Sequence, residues 1–243
     1  MKKMSPLEAA KRFIDEQYSE CSGAMLAGSV VRGEQTETSD LDIVIFVDGL
    51  QSAYRESVIF NGWPIEMFVH SMTSYEAYFK SDYDRARPSL QRMLAEGIII
   101  KDFAGLEMIK KQAEGILDEG PAPWTDETIK MKQYFITDAL DDFIGSNKRS
   151  ESIFIASSLA DQVHEFILRT NRKWIGASKW IVRALRNHDE GIAHQFVDAF
   201  DKFYVTGEKD AVIEFVNQVL EPFGGSLFAG FSMGKQTVEK GGH

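Results

Sequence analysis

The chain has 243 residues, 44% of them hydrophobic and 12% aromatic, a composition that supports a packed core and excludes a disordered chain. The formal net charge is −10, and the richest basic stretch, Arg169–Lys179, is broken by aromatic and small residues, so a polymeric nucleic acid gripped through its phosphates is disfavoured. Cys21 is the only cysteine, which excludes an internal disulfide, and neither Met1–Arg12 nor the aliphatic run Ile43–Val47 approaches a signal peptide or the roughly 20 residues of a membrane helix, so the expectation is a cytoplasmic protein with no membrane partner.

The spacing of Leu7, Ala10, Phe13, Ile14 and Tyr18 predicts a helix over 6–20, capped by Ser5 with Pro6 in its first turn. A short apolar piece, Ala24–Ala27, ends at Gly28-Ser29. Leu41–Val47 is apolar after an acidic start and reads as a strand covered on both faces. Asn61-Gly62 between Ser57–Phe60 and Pro64–His70 predicts a hairpin. Thr73 with Glu76 predicts a capping box for the next helix. A helix at about Pro88–Glu96, a strand at Ile98–Ile100 and a helix at Leu106–Leu117 follow.

Gly120, Pro121 and Pro123 mark a linker, after which strand signals fade. Thr125 opens a run of helices expected near 126–145, 151–171, 177–187, 189–204 and 208–220, with Pro222–His243 irregular. The fold class is therefore α/β (α+β): residues 1–120 form a domain with a small mixed sheet flanked by helices, and residues 121–243 an all-helical domain.

The chemistry is concentrated in Gly28-Ser29-Val30-Val31-Arg32-Gly33 and, six residues on, Asp40-Leu41-Asp42. Side chains alternate along a strand, so Asp40 and Asp42 share one face about 7 Å apart. Two carboxylates at the lip of a buried strand repel each other, and a divalent cation relieves that repulsion. Glu66 becomes a third carboxylate if its strand lies beside Leu41–Val47. Three such groups suit two Mg²⁺ ions about 4 Å apart, the arrangement of two-metal phosphoryl transfer. Gly28 lets backbone approach a phosphate, and Ser29 is expected to start a short helix whose free N–H groups face an anion. Arg32 adds charge on the phosphate side or lies in solvent, and Gly33 permits a tight exit. His70, four residues after Glu66, and His164 read as packed histidines.

Gly28-Ser29, Gly33, Ser39-Asp40-Leu41-Asp42 and Glu66 together resemble the signature of the DNA polymerase β-like nucleotidyltransferase superfamily, over roughly Ala24–Val69. The resemblance implies that Asp40, Asp42 and Glu66 bind the metals and that Gly28-Ser29 holds a nucleoside triphosphate, with ATP the implied donor. A small catalytic domain followed by helices is similar to the aminoglycoside and lincosamide nucleotidyltransferases of bacteria. That likeness implies transfer of a nucleoside monophosphate to a hydroxyl of a small molecule, with the helical domain closing on substrate and nucleotide.

Such transfer needs a base. Tyr134–Phe143 offers Asp138, Asp141 and Asp142 at i, i+3 and i+4 spacing, either one functional face or a solvated acidic one. Asp138, beside Thr137, Ala139 and Tyr134-Phe135, is expected to point inward and is the candidate base, and Glu66 is a second possibility. In similar enzymes a lysine of the second domain reaches the triphosphate, and Lys179 in Arg172–Trp180 is the candidate; the other reading of that stretch is a packing corner. The alternative function is a nucleotidyltransferase-like antitoxin, or protein-modifying partner, of a helical toxin. Oligomeric state is open.

Overall fold

The structure is a computed structural model that describes residues 4–234. The chain divides into two compact units, Met1–Gly120 and Pro121–His243.

The first unit opens with helix α1 (Pro6–Gln17). The Ser5 hydroxyl accepts from the Glu8 N–H at 3.4 Å, while the Ser5 N–H donates to the Glu8 carboxylate at 3.2 Å. This reciprocal cap satisfies two N–H groups that the first turn leaves open. The helix stops at Gln17, three residues before the predicted end, because Tyr18 leaves helical geometry (φ −135°, ψ 37°).

Five strands follow: β1 (Gly23–Ala27), β2 (Leu41–Phe46), β3 (Tyr54–Phe60), β4 (Trp63–His70) and β5 (Ile98–Lys101). Their order in the sheet is β3-β4-β2-β1-β5. β2 and β4 are parallel, and the other pairs are antiparallel. Asn61 and Gly62 both take positive φ (49° and 79°), which two-residue hairpin turns of this twist require. The loop pairs Phe60 with Trp63 and sets the register of the whole hairpin.

Helices α2 (Ser74–Asp84), α3 (Ser89–Glu96) and α4 (Leu106–Glu119) complete the unit. The expected cap at Thr73 is not made, since its side chain accepts no hydrogen bond there. Ser71 and Ser74 do the work instead: the Ser71 N–H donates to Ser74 Oγ at 2.8 Å and the Ser74 N–H to Ser71 Oγ at 3.0 Å.

The alternation of β2 and β4 sorts their side chains onto two cores. Leu41, Ile43, Ile45, Ile65, Met67 and Val69 pack with Ala9, Ala10, Phe13 and Ile14 of α1. Val44, Phe46 and the half-buried Phe68 face the other way, onto Tyr75 and Phe79 of α2, Leu90 and Leu94 of α3, and Leu106 and Ile109 of α4. Asp42 and Glu66, two residues before Val44 and Phe68, lie on this second face.

The second unit contains helices α5 (Asp126–Gly145), α6 (Arg149–Thr170), α7 (Trp180–His188), α8 (Glu190–Thr206) and α9 (Asp210–Leu220), then a short 3₁₀ turn, Glu221–Phe223. Thr125 caps α5 through the Thr128 N–H at 3.2 Å. Phe143 of α5 meets Phe203 of α8 edge to face at 4.8 Å, with both rings fully buried. Gln133 and Thr137, one turn apart on α5, hold the irregular segment after α9: the Gln133 amide donates to the carbonyls of Phe223 and Gly225, and Thr137 Oγ1 accepts the Leu227 N–H at 3.0 Å. Residues 224–234 are irregular apart from turns, as expected for Pro222–His243 up to that point; 235–243 lie outside the described residues. Among the described residues no helix is long and apolar enough to cross a membrane.

Candidate functional site

Strand register builds the site. In the parallel pair, Asp42 of β2 stands directly beside Glu66 of β4, and on its other side Asp42 faces Ala27 of β1. Asp40, just before β2, projects to the same face. Asp40, Asp42 and Glu66 each bring a carboxylate oxygen within 4.8 Å of the others, and all three are partly buried. The sequence expectation that Glu66 joins the aspartates depended on β4 lying next to β2, and it does.

The effect of this proximity is seen at Asp42. Burial pushes the Asp42 carboxyl up to about 6, and the neighbouring charges of Asp40 and then Glu66 push in the same direction. Arg32 and Arg55 oppose the rise without cancelling it.

Gly28 follows β1 directly and is in contact with this carboxylate. Its φ is +80°, and a Cβ built on it would lie 1.9 Å from Asp42 Oδ2. Only glycine fits, both for backbone conformation and for space. The chain then turns rather than coiling into the expected helix. Residues 29–33 are hydrogen-bonded turns, closed by the Glu34 N–H on the Ser29 carbonyl at 2.9 Å, and Gly33 takes φ +70°. The positive-φ glycines at either end limit the segment to a compact turn. Val30 and Val31 anchor it by packing on the α1-side core. Ser29 Oγ donates to Ser39 Oγ at 3.3 Å, and Ser39 Oγ accepts the Thr36 N–H at 2.8 Å, so the loop before Asp40 is tied to the turn after β1.

Arg32 is engaged by two acids, Glu34 at 3.0 Å and Glu96 of α3 at 2.9 Å. Its charge is therefore shared between its own loop and α3, while still bearing on Asp42.

The sequence reading missed two residues, Arg55 and Ser57 of β3. Arg55 Nε donates to Glu66 Oε1 at 2.6 Å, its Nη2 reaches the same oxygen, and Ser57 Oγ donates to it at 3.4 Å. A signal was present: a two-residue loop at Asn61-Gly62 necessarily places Ser57 opposite Glu66, and alternation puts Arg55 on the same face. Starting the strand at Ser57, three residues late, hid it.

His70 is 3% exposed and packs edge to face on Tyr78 at 4.8 Å. Burial holds its imidazole down at about 4, so it is neutral and packed, four residues along β4 from Glu66. His164 is fully buried, its ring nitrogens 3.3 and 3.2 Å from the carbonyls of Ala160 and Gly176.

In the second unit, Gln133, Ile136, Thr137, Leu140 and Phe143 form the buried face of α5. Asp138 is exposed rather than inward, as are Asp141 and Asp142; Thr137, the neighbour that was taken to steer it, is the inward residue. Asp138 and Asp142 line one shallow groove with Phe135 and Ile155. Lys179 is exposed immediately before α7, and in the stretch that leads to it Trp174 and Ile175 are buried.

The donor set of the first unit suits a hard divalent cation: three carboxylates, with no thiolate or imidazole among them. The fit is supported by Gly28, since the place a β-carbon would take there is filled by Asp42 Oδ2, which sets this carboxylate against bare backbone.

Residues 7–91 match the nucleotidyltransferase domain family, a stretch that contains every residue of this carboxylate cluster and its glycine-serine turn. No curated protein sequence matches the chain. Among solved structures, the chain is similar to a nucleotidyltransferase-like protein from Exiguobacterium sibiricum 255-15, with 11% identity, a TM-score of 0.45, and coverage of 89% of this chain and 74% of that one. At that score the likeness carries no further argument. The first unit, in which residues 7–91 carry the match, has a five-stranded mixed sheet flanked by helices, and a series of helices follows it.

Proposed function

We propose that the protein is a metal-dependent nucleotidyltransferase that moves a nucleoside monophosphate, AMP from ATP, onto a hydroxyl of a small molecule. The observation that carries this reading is the convergence of Asp40, Asp42 and Glu66 within 4.8 Å beside the Gly28-Ser29 turn. In this reading residues 1–120 are the catalytic domain and residues 121–243 the domain that closes on substrate and nucleotide.

Asp40, Asp42 and Glu66 would hold two Mg²⁺ ions, which supply charge neutralisation for the triphosphate and lower the pKa of a bound hydroxyl. Gly28 gives the triphosphate close access to backbone, and the Ser29 hydroxyl and N–H groups of the turn donate to its oxygens. Arg32, held by Glu34 and Glu96, adds positive charge on that side. The acceptor oxygen attacks the α-phosphorus, the bond to the β-phosphate oxygen breaks, and pyrophosphate leaves with the electron pair. Asp138 is the proposed base for the hydroxyl proton and Lys179 the proposed cation for the β- and γ-phosphates.

The acidic face formed by Asp138, Asp141 and Asp142 favours a cationic acceptor, such as an aminoglycoside, and the aminoglycoside/lincosamide-type branch is the working assignment. A cytoplasmic location and a small-molecule partner follow from the same reading.

The test is pyrophosphate release with each nucleoside triphosphate and Mg²⁺ across a panel of antibiotics and metabolites. Asp40→Ala or Asp42→Ala is expected to abolish release, a loss of at least about 1,000-fold, while the circular dichroism spectrum stays that of the wild type. Loss that follows only from unfolding, or wild-type rates in both variants, would remove the basis for the assignment.

A further inference from the structure

The glutamate of the triad differs from the two aspartates in how it is held. Among the described residues, the donors that reach Glu66 come from the edge strand β3, and all of them meet one oxygen. Arg55 Nε, at 2.6 Å, Arg55 Nη2 and Ser57 Oγ, at 3.4 Å, all converge on Oε1. The terminal torsion of a glutamate is broad and has no single preferred well. Donors fixed on one oxygen therefore decide where the other one points.

The support for this clamp is built into the sheet. Ser57 stands directly opposite Glu66 and Arg55 opposite Phe68, so the Arg55 side chain crosses one residue diagonally to reach Oε1. Its guanidinium carbon lies 5.1 Å from the centre of the Phe68 ring, which gives the planar group a surface to rest on. The Arg55 side chain is nonetheless 63% exposed, whereas Glu66 is 17% exposed. The Phe68 ring and the ion pair to Glu66 are what hold this exposed side chain in its orientation.

From this geometry we infer that Arg55 and Ser57 are positioning residues: they pin Glu66 Oε1 so that Oε2 is presented to a divalent cation shared with Asp40 and Asp42. This rests on the metal-binding reading given under Proposed function. Two effects of Arg55 compete. Its positive charge disfavours a nearby cation, while its fork geometry orders the ligand that the cation needs. Hydrogen-bonding partners of metal-ligating carboxylates contribute about 10- to 100-fold in metal affinity, so ordering is expected to prevail.

The two effects separate in Arg55→Lys, which keeps the charge and loses the fork. The measurement is Mn²⁺ binding to the full chain without nucleotide, followed by electron paramagnetic resonance, with melting of the metal-free protein as the fold control. The expected result is binding about tenfold weaker in Arg55→Lys, weaker also in Ser57→Ala, and lost in Asp42→Asn. Ser57→Ala deletes only a hydroxyl on an exposed strand, so its weaker binding supports the inference even if Arg55→Lys melts early. Wild-type affinity in both Arg55→Lys and Ser57→Ala, or tighter binding in Arg55→Met, would overturn it and leave the triad reading intact. If the wild-type chain takes up no Mn²⁺, or Asp42→Asn takes it up normally, the triad reading itself falls and this inference with it.

Discussion

The two units place acidic residues in different ways. In the first, three carboxylates come from β2, the loop before it and β4, and strand pairing fixes their approach: Asp42 stands in register with Glu66, and the pair cannot separate without breaking the ladder. In the second, Asp138, Asp141 and Asp142 follow one another along a single helix and all face solvent. A helix spreads its residues around an axis and needs a second element to focus them, while adjacent strands bring side chains within about 5 Å by construction. The first unit thus carries a cluster of acids in which Asp42 is raised by burial and by its neighbours, and the second carries an acidic surface.

The comparison can be tested first at Gly28. Gly28→Ala forces a β-carbon onto a backbone with φ +80° and into the space of Asp42 Oδ2. The expected outcome is a loss of turnover of about 1,000-fold with the fold retained, since strain of about 1–3 kcal/mol falls on one turn. Normal pyrophosphate release by this variant would show that the register-built cluster is not the reacting centre.

Next come the helical candidates. Asp138→Asn is expected to lower kcat by about 100-fold at unchanged KM, the low end for loss of a general base. Lys179→Ala is expected to raise KM for the triphosphate more than it lowers kcat. Less than twofold change in either variant would assign α5 a merely solvated face and the Lys179 corner a packing role, and would confine the chemistry to the first unit.

The smallest effect is on stability. The folded-state pKa of Asp42 is raised to about 6 from 3.8, so the native state holds its proton more tightly than the unfolded chain does. That contribution is fully present below about pH 4 and is lost as pH rises through 6. It amounts to something on the order of 3 kcal/mol for the metal-free protein. Denaturant midpoints at pH 4.5 and 7.5 should therefore differ less in Asp42→Asn than in the wild type. An unchanged pH dependence in that variant would locate the titration elsewhere. His70, held down at about 4, acts with the opposite sign: its contribution is present above its ordinary pKa and is lost as pH falls toward 4.

The extent to which the sequence foretold these features follows the same division. The sheet side was readable because the Asn61-Gly62 loop and the apolar alternation of Ile65, Met67 and Val69 leave one register that buries the right face. The turn over 29–33 was misread as a helix because two flanking glycines with positive φ are visible only in three dimensions. Arg55 was hidden because Tyr54–Glu56 carry no run of apolar or β-branched residues to mark them as strand, although β3 begins at Tyr54. In the second unit the long helical periodicities set α5 to the residue and the other helices to within about three. Their chemistry was not readable, because each exposed charge fits a solvated face as well as a site.

The rim of a sheet is ordinarily where a lineage can drift most freely, since substitutions there disturb little packing. Here that freedom is divided along a single strand. Ile59, 74% exposed, is open to replacement by almost any residue that tolerates an extended backbone. Two and four positions earlier, Ser57 and Arg55 grip Glu66, so the same strand is permissive at its turn end and restricted at its other end. A variable rim with two fixed positions is the trace this architecture would leave in its descendants.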